Sequence, residues 1–140
     1  MESNFTENAQ EVTRNSIDEA LRLKSNIIDI GHFVLAMLRN KSCTATQIIS
    51  VYVEDLSNLK DSIETEIKRQ VFTSAVANTG NPPLSQDATR VLKLSYLESL
   101  AMRQNYIGTQ HLLAAIMRIE NSPIKNILEH IIDKTNDNPK

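Results

Sequence analysis

The sequence predicts an all-α protein, a pseudo-twofold tandem repeat of one helical unit with about seven helices. Three observations carry that expectation. Only three glycines and four prolines punctuate 140 residues, too few turn signals for a sheet of many short strands. The apolar residues recur at three-to-four spacing, the period of a helix. The chain also matches itself, without a gap, at an offset of 79 residues.

The first helix follows Thr6, a good N-cap, and places Ala9, Val12, Ser16, Ile17, Ala20 and Leu23 on one face. A second starts near Asp29 and carries Phe33 to Leu38, apolar on every side. A helix with no polar face belongs in the middle of a bundle. A third holds Ile48, Ile49 and Val51, with Cys43 beside Thr44 at its start as a small structural residue. A fourth aligns Leu56, Leu59, Ile63 and Ile67 in one stripe and is expected on the outside of the bundle. Its charges are spaced for Lys60–Glu64 and Glu64–Lys68 pairs at i,i+4.

The connector from Val71 to Pro83 holds Gly80, Pro82 and Pro83, which stop a helix and start an extended stretch. Behind Ser85 the first helix recurs, with Ala88, Val91, Ser95, Ser99 and Met102 on its face. The next starts near Thr109 and runs through Leu112 to Met117, so the two all-apolar helices are expected at the centre, near one another. Ser122 and Pro123, a cap followed by proline at the first helical position, open a helix with Ile124, Ile127, Leu128, Ile131 and Ile132. By period a further helix would begin around Thr135, where the chain instead reads as a polar tail.

The self-match is long. It pairs Ala9 with Ala88, Val12 with Val91, Glu19 with Glu98, Asn26 with Asn105, His32 with His111, Arg39 with Arg118 and Ile48 with Ile127. Neither copy can bury its own apolar face, so each is expected to complete the other. The sequence is therefore divided as one domain over 1–140, with repeat one at 5–70, the connector at 71–83, repeat two at 84–134 and the tail at 135–140.

Composition removes several functions. Charge is nearly balanced at -2, with no block of like charges, so no positive field for nucleic acid or an anionic membrane is built. A helix-turn-helix regulator would need basic or amide residues on its second helix, which here is apolar, and this stays a remote alternative. The longest apolar run is far short of a membrane span. A single cysteine, Cys43, and a polar start without signal-peptide features predict a cytoplasmic protein.

Phe5-Thr6-Glu7 opens the first copy, and Asn105-Tyr106-Ile107-Gly108-Thr109-Gln110-His111-Leu112-Leu113 forms a corner in the second. Over nearly the whole chain this resembles the N-terminal domain of the Clp protein-unfoldase ATPases, in particular the ClpC type, a double Clp-N repeat. The first copy's corner, Asn26 to Phe33, is more degenerate. The resemblance implies a noncatalytic docking domain that recruits adaptors or marked substrate proteins to the ATPase rings. It implies as partners those proteins together with Clp ATPase or protease subunits, and no cofactor.

The residues agree that chemistry is absent. No G-x-x-x-x-G-K-[ST] occurs, so any ATP use belongs elsewhere. No acid and base pair stands at a recognisable spacing for an enzyme. His32, His111 and His130 lie on separate segments without ligand spacing, which predicts that His32 and His111 fix the corners by hydrogen bonds and that His130 is a surface residue. Met37, Met102 and Met117 read as core filler. Glu19 and Glu98 repeat exposed-looking positions open to a docking role, and structural recurrence from one ancestral unit is the favoured reading.

In ClpC-type domains the corners form pockets for phosphorylated arginine, with a corner glutamate on the guanidinium group. Here those positions are Gly31 and Gln110, so neither copy offers the carboxylate. Gln110 retains hydrogen-bonding capacity, and Thr109 stands at a helix start. The residues the resemblance assigns to partner binding are Phe5, Thr6, Asp29, Gly31, His32, Thr109, Gln110 and His111. Two forms are compatible: the recruiting domain of a Clp ATPase, or a free-standing accessory protein of the Clp complex. In the second form the missing last helix leaves an apolar groove for a partner helix.

Overall fold

The computed structural model describes residues 4–70 and 81–136, with side chains through Ile132. Residues 1–3, 137–140 and the connector stretch 71–80, Gly80 included, lie outside the described residues. The described residues form seven helices: α1 (Glu7–Arg22), α2 (Ile30–Arg39), α3 (Thr44–Tyr52), α4 (Leu56–Arg69), α5 (Gln86–Ala101), α6 (Thr109–Ile116) and α7 (Pro123–Asn136).

The helix starts follow from capping chemistry. Thr6 Oγ1 accepts the Ala9 N–H at 3.1 Å and, 79 positions on, Ser85 Oγ accepts the Ala88 N–H at 2.9 Å. Ser122 Oγ accepts from the Lys125 N–H, with Pro123 in the first turn of α7. Both α1 and α5 end alike. Lys24 and Arg103 take left-handed backbone with φ near 58° and 59°, while the Ser25 and Gln104 N–H groups close back on the Ala20 and Ser99 carbonyls. With the Lys24 and Arg103 N–H groups donating to the Leu21 and Leu100 carbonyls, this is the double hydrogen bond of a Schellman ending.

The copies are laced together by two symmetric crossings. Phe5 bridges Ile107, and Leu84 bridges Ile28. In the first, Thr6 N–H donates to the Ile107 carbonyl at 2.9 Å and Ile107 N–H to that of Asn4 at 2.8 Å. In the second, Ser85 N–H donates to the Ile28 carbonyl at 2.8 Å and Ile28 N–H to that of Pro83 at 2.7 Å. Each copy's opening strand segment thus satisfies backbone groups in the other copy's corner, which would otherwise be buried without partners.

One hydrophobic cluster draws on both copies. α2 lies at its centre, with every residue from Ile30 to Leu38 buried, and it packs against α6 as the apolar sequences require. Cys43 is fully buried at the N-cap of α3, against Thr46 and the Met37 carbonyl. α4 lies across α2 and α7 with Leu59, Ile63 and Ile67 buried and its opposite face exposed. Full burial of each such aliphatic side chain contributes about 1.5–3 kcal/mol.

Three details depart from the sequence expectations. α6 takes Gly108 as its N-cap, the position aligned with Asp29, and Thr109 is its first helical residue. α7 continues through Thr135 to Asn136, so the first two residues assigned to the tail are helical. Where the first copy breaks at Val53 and turns into α4, the second runs straight on. Glu64 reaches Arg22 of α1 at 2.6 Å and, among the described residues, is not paired with Lys60 or Lys68 along its own helix.

Candidate functional site

The corners are built alike. His32 Nδ1 accepts the Asp29 N–H at 2.9 Å, and His111 Nδ1 accepts the Gly108 N–H at 2.9 Å. An imidazole that accepts at Nδ1 carries its proton on Nε2 when neutral. That N–H faces Ser25 Oγ at 2.9 Å in the first copy and Gln104 Oε1 at 2.6 Å in the second. Both rings are fully buried. Burial pushes each imidazole below its usual range, and for His32 it outweighs the opposing pull of Asp29. The histidines are therefore structural pins of each helix start, as their repeat suggested.

Most of the other assigned residues are also spent internally. Phe5 is half-buried against the core, and its carbonyl accepts from Gln10 Nε2. Thr6 caps α1. Asp29 accepts the Ser85 hydroxyl at 2.6 Å, joining the copies. Thr109 is buried, and its Oγ1 accepts the Ala45 N–H at 2.9 Å, closing the first turn of α3.

The two corner-glutamate positions differ sharply. Gly31 is buried beneath α4: a Cβ there would stand 2.9 Å from Ile67 Cγ1 and Cδ1 and 3.2 Å from Ile124 Cδ1. A larger side chain fits only if Ile67 and Ile124 shift, so the first corner is covered. Gln110 is half-exposed, with its amide folded back over Gly108.

Gln110 stands on the rim of an apolar groove of about 330 Å³ between α3, α6 and α7. Its walls include Ile49 and Tyr52 from α3, Leu113 and Met117 from α6, and Leu128 and Ile131 from α7. Sequence reasoning read Met102 and Met117 as core, yet Met102 is 47% exposed and both line this groove. Their burial would require a helix over α6 that the described residues do not supply. Of the groove's residues, only Gln110 was among those assigned to binding. The signal for the rest was the apolar excess on α6.

Glu19 and Glu98 are not exposed docking residues. Both are buried and paired, Glu19 with Arg22 at 2.6 Å and Arg39 at 3.3 Å, Glu98 with Arg118. Among the described residues, no helix is long and apolar enough to cross a membrane.

A family model for the Clp repeat (R) N-terminal domain matches residues 4–131. The chain belongs to this family. Its Clp repeat is double, and the interlaced helical copies described above are the two repeats. A ClpA homolog of Porphyra purpurea, an ATP-binding subunit of the ATP-dependent Clp protease, is 30% identical over 91% of this chain. The chain spans only 15% of that relative's length.

The fold of this Clp N-terminal domain matches the crystal structure of the N-terminal domain of the ClpD chaperone from Arabidopsis thaliana. The TM-score is 0.70 at 14% identity, over 96% of this chain and 94% of that one. A structure named for a peptide from the EAEC type VI secretion protein SciI aligns with a TM-score of 0.73 at 16% identity, over 94% of this chain and 81% of that one.

Proposed function

We propose that this Clp N-terminal domain is a noncatalytic protein-binding module that recruits adaptors or substrate proteins to a Clp ATP-dependent unfoldase-protease. The observation that carries the reading is the open apolar groove beside Gln110, in a domain whose histidines and corner hydroxyls are consumed in holding the fold. An exposed apolar groove on a stable domain is a site for another protein. The SciI peptide of the structural relative supports the same reading. ATP turnover, in this account, belongs to modules or subunits outside these 140 residues, and the compartment is the cytoplasm.

The test is native recovery from source cells after brief crosslinking, with the recovered proteins identified by mass spectrometry. Clp ATPase or protease subunits are expected in the recovered assembly. Repeated recovery without any Clp component would contradict the proposal. The size of the polypeptide carrying the sequence separates the two forms: a much heavier chain is the recruiting domain of a Clp ATPase, and one of this length is a free-standing accessory protein.

A further inference from the structure

The internal symmetry gives the groove a template. α4 lies on α2 and α7. The offset of 79 carries α2 onto α6 and relates α7 to α3, so the symmetry image of the α4 seat is made by α6 and α3. That is where the groove opens. Gly31, against which Ile67 stands, maps onto Gln110 on the rim. Leu35, 2% exposed, maps onto half-exposed Ala114, and buried Leu38 onto half-exposed Met117. Among the described residues, the first copy's seat is filled by a helix and the second copy's is open.

The lining decides the class of ligand. It is aliphatic and thioether surface with Tyr52 and a single amide, Gln110. Small-molecule sites orient their ligands with several convergent polar groups, and this groove lacks them. A helix needs none, because its own backbone is satisfied and it binds by apolar anchors at helical spacing.

We propose that the groove seats one amphipathic helix of a partner protein, presenting large aliphatic residues at i, i+4 and i+8 as α4 presents Leu59, Ile63 and Ile67 to the first copy. This deepens the protein-binding reading and rests on it. The symmetry also says what the partner lacks. Glu64 of α4 is held by Arg22 at 2.6 Å, and the image of Arg22 is Ala101. No acidic residue is therefore selected beside the middle anchor, and the third anchor meets the Gln110 amide where Ile67 meets glycine.

The test uses α4 itself as the probe: a peptide of residues 55–70, held helical by a lactam between its Lys60 and Glu64 positions, off the aliphatic stripe. It is titrated into the isotopically labelled 140-residue chain and followed by amide NMR. Saturable shifts are expected around Ile49, Ala114, Met117 and Ile131. Ala114→Glu, and separately the more exposed Met102→Glu, should weaken the peptide at least tenfold while the remaining spectrum stays that of the folded chain.

Three results would overturn the assignment. One is no shift at millimolar peptide. Another is shifts centred on Gly31 and Ile124, which would mean that the peptide displaces α4. The third is concentration-dependent groove shifts without peptide, which would make a second copy the occupant. Because no Clp component is present in the titration, its failure removes the helix assignment and leaves recruitment to the recovery experiment.

Discussion

Thr6 and Ile107, from opposite copies, are joined by a backbone hydrogen bond of 2.9 Å, and the symmetry image of that bond joins Ser85 to Ile28 at 2.8 Å. Each copy's corner is finished by the other's opening segment, over a core that belongs to both. Fragments 1–70 and 81–140 made separately should therefore lack cooperative unfolding, and an equimolar mixture should recover helix content. Circular dichroism with urea titration reads both. A fragment that unfolds cooperatively alone would show that the copies are independent.

The corner histidines make stability depend on pH with a definite sign. Burial lowers both imidazoles in the folded state, so below about pH 6.5 the unfolded chain takes up protons first. Stability falls as pH drops through that region and on to the lowered folded values, because a protonated Nδ1 can no longer accept the Asp29 or Gly108 N–H. Gln at this helix position can accept the same N–H without titrating. The double variant His32→Gln, His111→Gln should show a flatter urea midpoint between pH 7.5 and 5.5 than the parent chain.

Gly31 and Gln110 are aligned in the repeat and opposite in tolerance. Gly31→Glu forces a carboxylate against Ile67 and Ile124 and should cost upwards of about 3 kcal/mol, lowering the melting temperature by about 10 °C. Gln110→Glu, on the open rim, should stay within about 0.5 kcal/mol of the parent. It should also strengthen any binding of arginine-phosphorylated protein by supplying a carboxylate partner. Unchanged titration with such a protein would show that this corner does not read the modification.

Thr109 holds the two copies together through Ala45. Thr109→Val keeps the shape and removes the oxygen, leaving the Ala45 N–H at 2.9 Å from nothing that accepts. The expected loss is about 1–3 kcal/mol by urea denaturation. A change below about 0.5 kcal/mol would show that Ala45 finds another acceptor.

Much of the fold was legible because periodicity and an ungapped repeat report burial directly. The offset alone pairs the caps Thr6 and Ser85, the pins His32 and His111, and the ion pairs of the buried carboxylates, Glu19–Arg39 and Glu98–Arg118. What a single sequence does not carry is which mates sit in different surroundings. Gly31 and Gln110 share a register position, yet α4 covers one and not the other. Met102 and Met117 carry the same hydropathy whether a helix lies over them or not. Glu19 and Glu98 look solvent-facing by charge, and only the arginines that reach them, Arg22 and Arg39 in the first copy and Arg118 in the second, make their burial tolerable.

In the proposed function, the open second-copy groove meets protein partners of the Clp machine. The most direct measurement places a photocrosslinking side chain at position 114, in the groove, and in a control at Lys60, a solvent-facing position on α4, in source cells. Adducts from position 114 should contain a Clp subunit, or a protein that accumulates when Clp proteolysis is blocked, and Lys60 should give none of these. The same products from both positions, or no Clp-linked product from position 114, would contradict it.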